Sequence, residues 1–181
     1  MHDFFSIPGY PDSDIERPIV FEHSLAVRDA LILDAQRKLA LADNKAAVIE
    51  TVRIHARGIC NSDGITFVLR EGDRCLYVEE DAIGPLWKGQ KFPLSACISG
   101  WAMTHGEMAV IEDVFADPRI PYDAYLPTFV KSLMMAPVGS RNVAAMGAYW
   151  KDKRQFTDLE ILTVKTFSAL VGKALSDLLD A

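Results

Sequence analysis

The sequence has few of the residues that carry most enzyme chemistry. Only three of its 181 residues are cysteine and four are histidine. Cys60, Cys75 and Cys97 are odd in number and widely spaced, with no C-x-x-C pair and no histidine at ligand spacing. Neither a disulfide framework nor a zinc site is supported by that pattern, and the three read as small buried hydrophobes. A Ser/His/carboxylate triad finds no G-x-S-x-G, and the histidines stand apart at His2, His23, His55 and His105. His55 reads as a histidine at the edge of a core. No P-loop and no G-x-G-x-x-G occurs, which removes the common phosphate cradles. Hydrolase and nucleotide-transfer readings therefore have no foothold, and no catalytic residue is assigned.

Concentrated positive charge is also missing. The net charge is -6 and the sequence pI is near 5.2, whereas a nucleic-acid partner needs a basic face to release counterions. No apolar stretch approaches the roughly 20 residues that span a bilayer. The opening MHDFFSIPGYPDSD has neither a basic n-region nor a continuous apolar h-region. A cytoplasmic protein without a membrane or nucleic-acid partner is expected.

What is present is enough apolar material for one sizeable core, since half the residues are hydrophobic. Residues 1–23 contain Pro8, Gly9, Pro11 and Pro18 and read as an irregular arm, followed by a single domain over 24–181. A helix is expected over 24–43, capped by Ser24, with Leu25, Ile32 and Leu39 recurring every seven residues. Asp43 and Asn44 interrupt it. A second helix runs to about Cys60 with Val48, Val52, Ala56 and Ile59 on one face. The period then changes to two: ITFVLREG and RCLYVEED read as strands joined through Glu71-Gly72-Asp73.

GPLWKGQKFPLS reads as irregular, CISGWAMTHG as a short helix ending at Gly106, and EMAVIEDV as a strand. FADPRIPYDAYLPTFVKS mixes proline with aromatics and reads as a long loop with a short helix near Asp123 to Lys131. SLMMAPVG and VAAMGAYWKD are the last strands. The closing helix, 158–180, starts at a Thr157-x-x-Glu160 capping box and carries Val164, Phe167, Val171, Ala174 and Leu178 at steps of three and four. Strands grouped in runs favour an α+β domain with a largely antiparallel sheet.

From about Phe92 to Leu178 these elements follow a recognisable series: a short helix closing on a glycine turn, an Ile111-Glu112-Asp113-Val114 strand, an Asp117-Pro118-Arg119-Ile120-Pro121 loop, an SLMMAPV strand, a Gly147-Ala148-Tyr149-Trp150 strand and a capped last helix. In that run the chain resembles the GAF family, particularly the GAF domains of bacterial sensor histidine kinases and related signalling proteins. The resemblance implies a central antiparallel sheet of five or six strands. It also implies long terminal helices on one face, and short helices and loops roofing a pocket on the other. Candidate pocket residues are then Trp87, Phe92, Cys97, Trp101, Asp113, Asp117, Arg119, Tyr122, Tyr125 and Phe129, an aromatic set with a few polar groups as ligand sites usually have.

The implied function is sensory: an unidentified small molecule bound under the roof, a homodimer paired through the terminal helices, and a link to two-component signalling through a kinase or other output domain. No cofactor is indicated. Bilin-binding relatives carry a Cys-His pair on the roof helix, whereas Cys97 here is followed by Ile98. The Asn-Lys signature of cyclic-nucleotide relatives has its only match in Asn44-Lys45, which opens the second helix instead. Free methionine-(R)-sulfoxide reductase is the enzymatic alternative. Cys97 resembles one of its active cysteines, but the partner expected after the Asp113-Val114 strand is replaced by Arg119-Ile120-Pro121-Tyr122. The remaining alternative is a ligand-free dimerisation module.

Overall fold

A computed structural model of the chain describes residues 16–180. Two helices open it, α1 (Glu16–Ala40) and α2 (Lys45–Cys60). The start expected at Ser24 is too late, because the backbone is already helical from Glu16. Pro18 suggested an arm, yet a proline in the first turn forfeits no hydrogen bond there, since those N–H groups have no intrahelical partner. The last eight residues of the arm expected over 1–23 are thus helical, and the first fifteen lie outside the described residues. Asn44 caps α2 by accepting the Ala47 N–H at 2.9 Å. His55 is buried and ties the two helices together: its Nδ1 lies 2.9 Å from the Thr51 carbonyl and its Nε2 2.8 Å from the Asp34 carboxylate. That bond is the main cause holding the Asp34 carboxyl down at about 2.

The chain then lays down β1 (Gly64–Glu71), β2 (Arg74–Ala82), β3 (Lys91–Pro93), α3 (Ile98–His105), β4 (Ala109–Ile111), α4 (Tyr122–Tyr125), β5 (Ser132–Val138), β6 (Ala144–Trp150) and α5 (Asp158–Asp180). Gly72, at φ +63, makes the two-residue β1–β2 turn. The segment read as irregular contains β3, a three-residue edge strand in which Pro93 costs no ladder bond. The helix expected near Asp123 to Lys131 occupies Tyr122–Tyr125, with Pro127 next in line to stop it. Thr157 and Glu160 form the expected box: the Glu160 carboxylate accepts the Thr157 N–H at 2.8 Å, and the Thr157 hydroxyl accepts the Glu160 N–H at 3.3 Å.

The six strands form one sheet in the order β3-β2-β1-β6-β5-β4, antiparallel at every pairing. Strand alternation divides the interior in two. On one face Ile65, Phe67, Met134, Ala136, Met146 and Ala148 meet Ala35 and Leu39 of α1, the apolar stripe of α2, and Val164, Phe167 and Val171 of α5. On the other, Val68, Cys75, Tyr77, Leu133, Met135, Ala145 and Tyr149 meet α3, α4 and the intervening loops. All seven residues of β6 are buried, as a strand covered on both sides requires. α5 comes so near the β5–β6 turn that a Cβ on Gly172 would stand 2.5 Å from the Gly139 nitrogen. Among the described residues no helix is long and apolar enough to cross a membrane.

Candidate functional site

The roofed face of the sheet is aromatic at its centre. Tyr149 points onto it from β6, folded back across Gly147, where a Cβ would fall 2.6 Å from the tyrosine Cζ and 2.8 Å from Met135 Cε. Glycine at 147 is what allows that ring to lie along the strand and place its hydroxyl 2.8 Å from Thr66 Oγ1. Trp87 descends from the β2–β3 loop into the middle. Its ring centroid is 4.8 Å from Tyr125 and 5.7 Å from both Tyr77 and Tyr149, while Tyr77 also meets Phe92 edge-on at 5.5 Å. Tilted and edge-on rings at these spacings are the favoured geometry for aromatic contact.

The Trp87 loop is fastened by one carboxylate. Glu80 of β2 accepts three consecutive backbone N–H groups, from Leu86 at 3.2 Å and from Trp87 and Lys88 at 2.9 Å each. Charge-assisted bonds of this kind are the strong ones, and losing them leaves the donors to water or to nothing. Glu80→Ala is therefore expected to cost about 1–3 kcal/mol and to speed amide exchange at residues 86–88 well beyond the rest of β2. Unchanged protection at those three amides would show that ring packing alone holds the loop.

Beside the aromatics lies a chain of buried polar groups. The Tyr77 hydroxyl is 3.0 Å from Ser99 Oγ, and Ser99 Oγ is 3.2 Å from Cys97 Sγ, which in turn lies 3.5 Å from the Pro93 carbonyl. Pro93 pairs with Arg74 in the β2–β3 ladder, and Cys97, four residues on, is buried in the same core cluster as Cys75. The Cys75 hydrogen bond, joined by Ser99 and the Gly100 N–H at the start of α3, holds the Cys97 thiol down at about 6 despite burial. Cys75 is pushed upward by the same partnership and by burial. Burial raises the phenols of Tyr77, Tyr125 and Tyr149 above the usual tyrosine range. Reading all three cysteines as inert hydrophobes fits Cys60, whose thiol burial pushes up to about 12, and fails to anticipate the Cys97–Ser99 hydrogen bond.

Of the ten candidate residues, Trp87, Cys97 and Tyr125 are buried in the roof-side core, with Phe92, Trp101 and Phe129 packed partly against it. Arg119 lies over the Trp101 ring, 4.5 Å from its centroid, while His105 stacks on Trp101 at 4.6 Å. Asp117 holds Arg119 through a 2.6 Å ion pair. Asp113 is engaged elsewhere: it accepts the Phe115 N–H at 3.0 Å and pairs with Lys153 at 2.5 Å. Tyr122 is 54% exposed and leans on Phe115.

Tyr77, Tyr149, Thr66, Ser99, Cys75 and Glu80 lie on the same roofed side and are not among the ten sequence candidates. Period-two alternation places Cys75 with Tyr77 on one face and Gly147 with Tyr149 on one face, but sequence spacing carries no sign of which face is roofed. Among the described residues no cluster of three or more His, Cys, Asp or Glu could hold a metal. Among the described residues a cavity of about 550 Å³ opens between α1, α2 and the start of α5. That cavity is lined by none of the ten candidates.

No family model matches the sequence, and no curated protein matches it. Solved structures do match in fold. The chain is similar to a free methionine-R-sulfoxide reductase from Neisseria meningitidis in complex with its substrate, at 15% identity and TM-score 0.70, covering 86% of this chain and 92% of that one. It is similar to the GAF domain of a phosphoenolpyruvate-protein phosphotransferase from Coxiella burnetii at 9% identity and TM-score 0.73, covering 86% and 96%. A putative GAF sensor protein from Burkholderia vietnamiensis matches at 12% identity and TM-score 0.71, covering 87% and 99%. With its antiparallel sheet between long helices on one face and a roof of loops and short helices on the other, this chain has the fold of the GAF domains.

Proposed function

We propose that the chain is a sensory and regulatory domain that binds a small molecule beneath its roof, and that it passes the binding event to α1 and α5. The observation that carries the reading is the contrast between its two cores. The helix-side core combines aliphatic side chains and Met with Cys60, Phe67, Phe167 and Trp150, and its buried Thr51, His55, Thr163 and Ser168 each bond a carbonyl of their own helix. The roof-side core concentrates Tyr77, Trp87, Tyr125 and Tyr149 around buried hydroxyls and thiols. Packing alone has no need of that polarity, because buried polar groups cost stability unless each is paired. A ligand with an apolar ring and one or two hydrogen-bonding groups has need of it. Such a molecule enters by parting Trp87 from Tyr125 and Tyr149, which moves the loop that Glu80 fastens.

The second half of the reading is dimerisation through the terminal helices, with a kinase or other output domain as recipient in a cytoplasmic two-component pathway. Val27 and Leu33 on α1, Leu41 just after it, and Leu159 and Leu162 on α5 leave large apolar side chains exposed, which supports pairing with a second copy. Packed helix interfaces have discrete arrangements, so a shift under the roof can bias one of them.

Thermal-shift screening against metabolites, haem and nucleotides tests the binding half. A ligand that binds only the folded state stabilises it by an amount set by its concentration over its Kd, about 2.7 kcal/mol at a hundredfold excess, and Tm rises accordingly. The expected hit loses its effect in Arg119→Ala or Trp101→Ala, whose side chains stand at the edge of the aromatic cluster. A library without a single hit would favour a ligand-free dimerisation module.

A further inference from the structure

We propose that the helix side of the domain carries a second binding site, the cavity between α1, α2 and the start of α5, and that it takes a small organic carboxylate through Arg28. The cavity measures about 550 Å³, within the span of about 300–1,000 Å³ typical of pockets that enclose small ligands. It lies across the sheet from the roof, since Ile59 and Cys60 of its wall belong to the helix-side core. The site therefore rests on none of the roof residues and goes beyond the ligand proposed there.

Two observations carry it, an unpartnered donor and the wall around it. Arg28 lines the cavity, and its Nε is buried with no hydrogen-bond partner among the described residues. A buried cationic donor without an acceptor costs stability, and an acceptor from outside the chain removes that cost. On the same guanidinium, Nη2 donates to the Asp29 carboxylate at 3.3 Å, a long contact with a side chain that is 64% exposed. Exposed pairs of this kind hold weakly. A carboxylate presents two oxygens at the spacing of the two N–H groups on one guanidinium edge, a match that a lone hydroxyl or carbonyl lacks.

The other charges of the wall are already matched. Glu160, the one acid in the lining, binds Arg154 and accepts the Thr157 N–H. Arg154 is also held over the Trp150 and Phe156 rings. No acid of the lining is left over for Arg28. Leu25, Ile59 and Leu159 make the wall partly apolar, so the occupant has a short apolar body behind its carboxylate. Inorganic phosphate offers the charge without that body. All three helices contribute to the wall, so an occupant ties α1 to α2 and α5 at once.

The test is a titration of the isotope-labelled whole chain with sodium hexanoate, followed by NMR through the Arg28 Nε–H and the backbone amides. The expected result is a saturable shift of the Arg28 Nε–H, with amide shifts gathered at residues 25–28, 58–61 and 154–163. Hexanamide, the neutral isostere, and inorganic phosphate should each bind about tenfold more weakly or worse. Arg28→Lys keeps the charge, loses the fork and should weaken hexanoate by about tenfold. Arg53→Gln removes a surface arginine of α2 that pairs with Glu50 outside the cavity, and should match the parent. An Arg28 Nε–H that hexanoate does not move in the parent would overturn the proposal whether or not any variant folds. Phosphate or hexanamide binding as tightly as hexanoate would overturn the carboxylate class. Shifts confined to the Trp87 and Trp101 indole N–H groups would put hexanoate under the roof, which overturns this site and leaves the roof reading standing.

Discussion

Phe167→Asp is expected to unfold the domain. The phenylalanine is 1% exposed in α5 and packs into the helix-side core with Val164, Val171 and the residues of α2 and β5. Deleting a buried aromatic side chain costs about 3–5 kcal/mol. The carboxylate that replaces it would have no cation or donor among those aliphatic neighbours, and an unpaired buried charge adds several more. Against a total stability of about 5–15 kcal/mol, the sum leaves little or no folded protein. Urea titration followed by circular dichroism reads the result directly, and a variant with the parent's midpoint would show that α5 does not pack as described. Leu162→Asp is the informative contrast. Leu162 is 59% exposed, so its variant should melt with the parent while light scattering reports a halved mass if α5 pairs with a second copy.

The other large effect is expected from one methyl group. A Cβ at Gly100 would stand 2.5 Å from the carbonyl carbon and 2.6 Å from the Cα of Leu94. Both are backbone atoms, and no rotamer change relieves the overlap. In Gly100→Ala, α3 must withdraw from the 3₁₀ turn at Leu94–Ala96. Overpacking of this kind costs about 1–3 kcal/mol and sometimes more. Withdrawal also takes the Gly100 N–H away from Cys97, whose thiol then titrates higher, back toward the ordinary cysteine range. The thiolate held at the start of α3 is fully present above its folded pKa of about 6 and is lost as pH falls through it. The pH profile of alkylation at Cys97 should shift upward in the variant. Gly89→Ala serves as control: φ is +85 but nothing lies within 4 Å of its Cβ, so only conformational strain of about 1 kcal/mol applies. Equal melting temperatures for Gly100→Ala and the parent would contradict the tight α3 contact.

Much of the fold was legible because its signals are local. The Thr157/Glu160 box, the Asn44 cap, the Gly72 turn, the period-two runs of β1 and β2 and the short apolar runs of β5 and β6 depend on residues a few positions apart. Two errors have local causes as well. Pro18 counts toward an irregular arm in the sequence, yet a first helical turn tolerates it, and Lys91–Pro93 lies in a stretch that reads as irregular, yet forms an edge strand, where proline is tolerated. The candidate site was less legible. Aromatic content drew attention to Trp87, Tyr125 and Phe129, which do gather on the roof side. Tyr77, Tyr149 and Glu80 went unnoticed because their role depends on which face of the sheet is roofed, a property of tertiary packing. The placing of Cys75 and Cys97 in one core cluster is likewise a product of tertiary packing.

A ligand site under the roof is tested most directly by native mass spectrometry of the chain purified from its own cells. Protein carrying a stoichiometric small molecule, with that molecule depleted in Trp101→Ala of unchanged fold, is the expected result. A bare polypeptide mass under the gentlest conditions, for the parent and the variant alike, would contradict it.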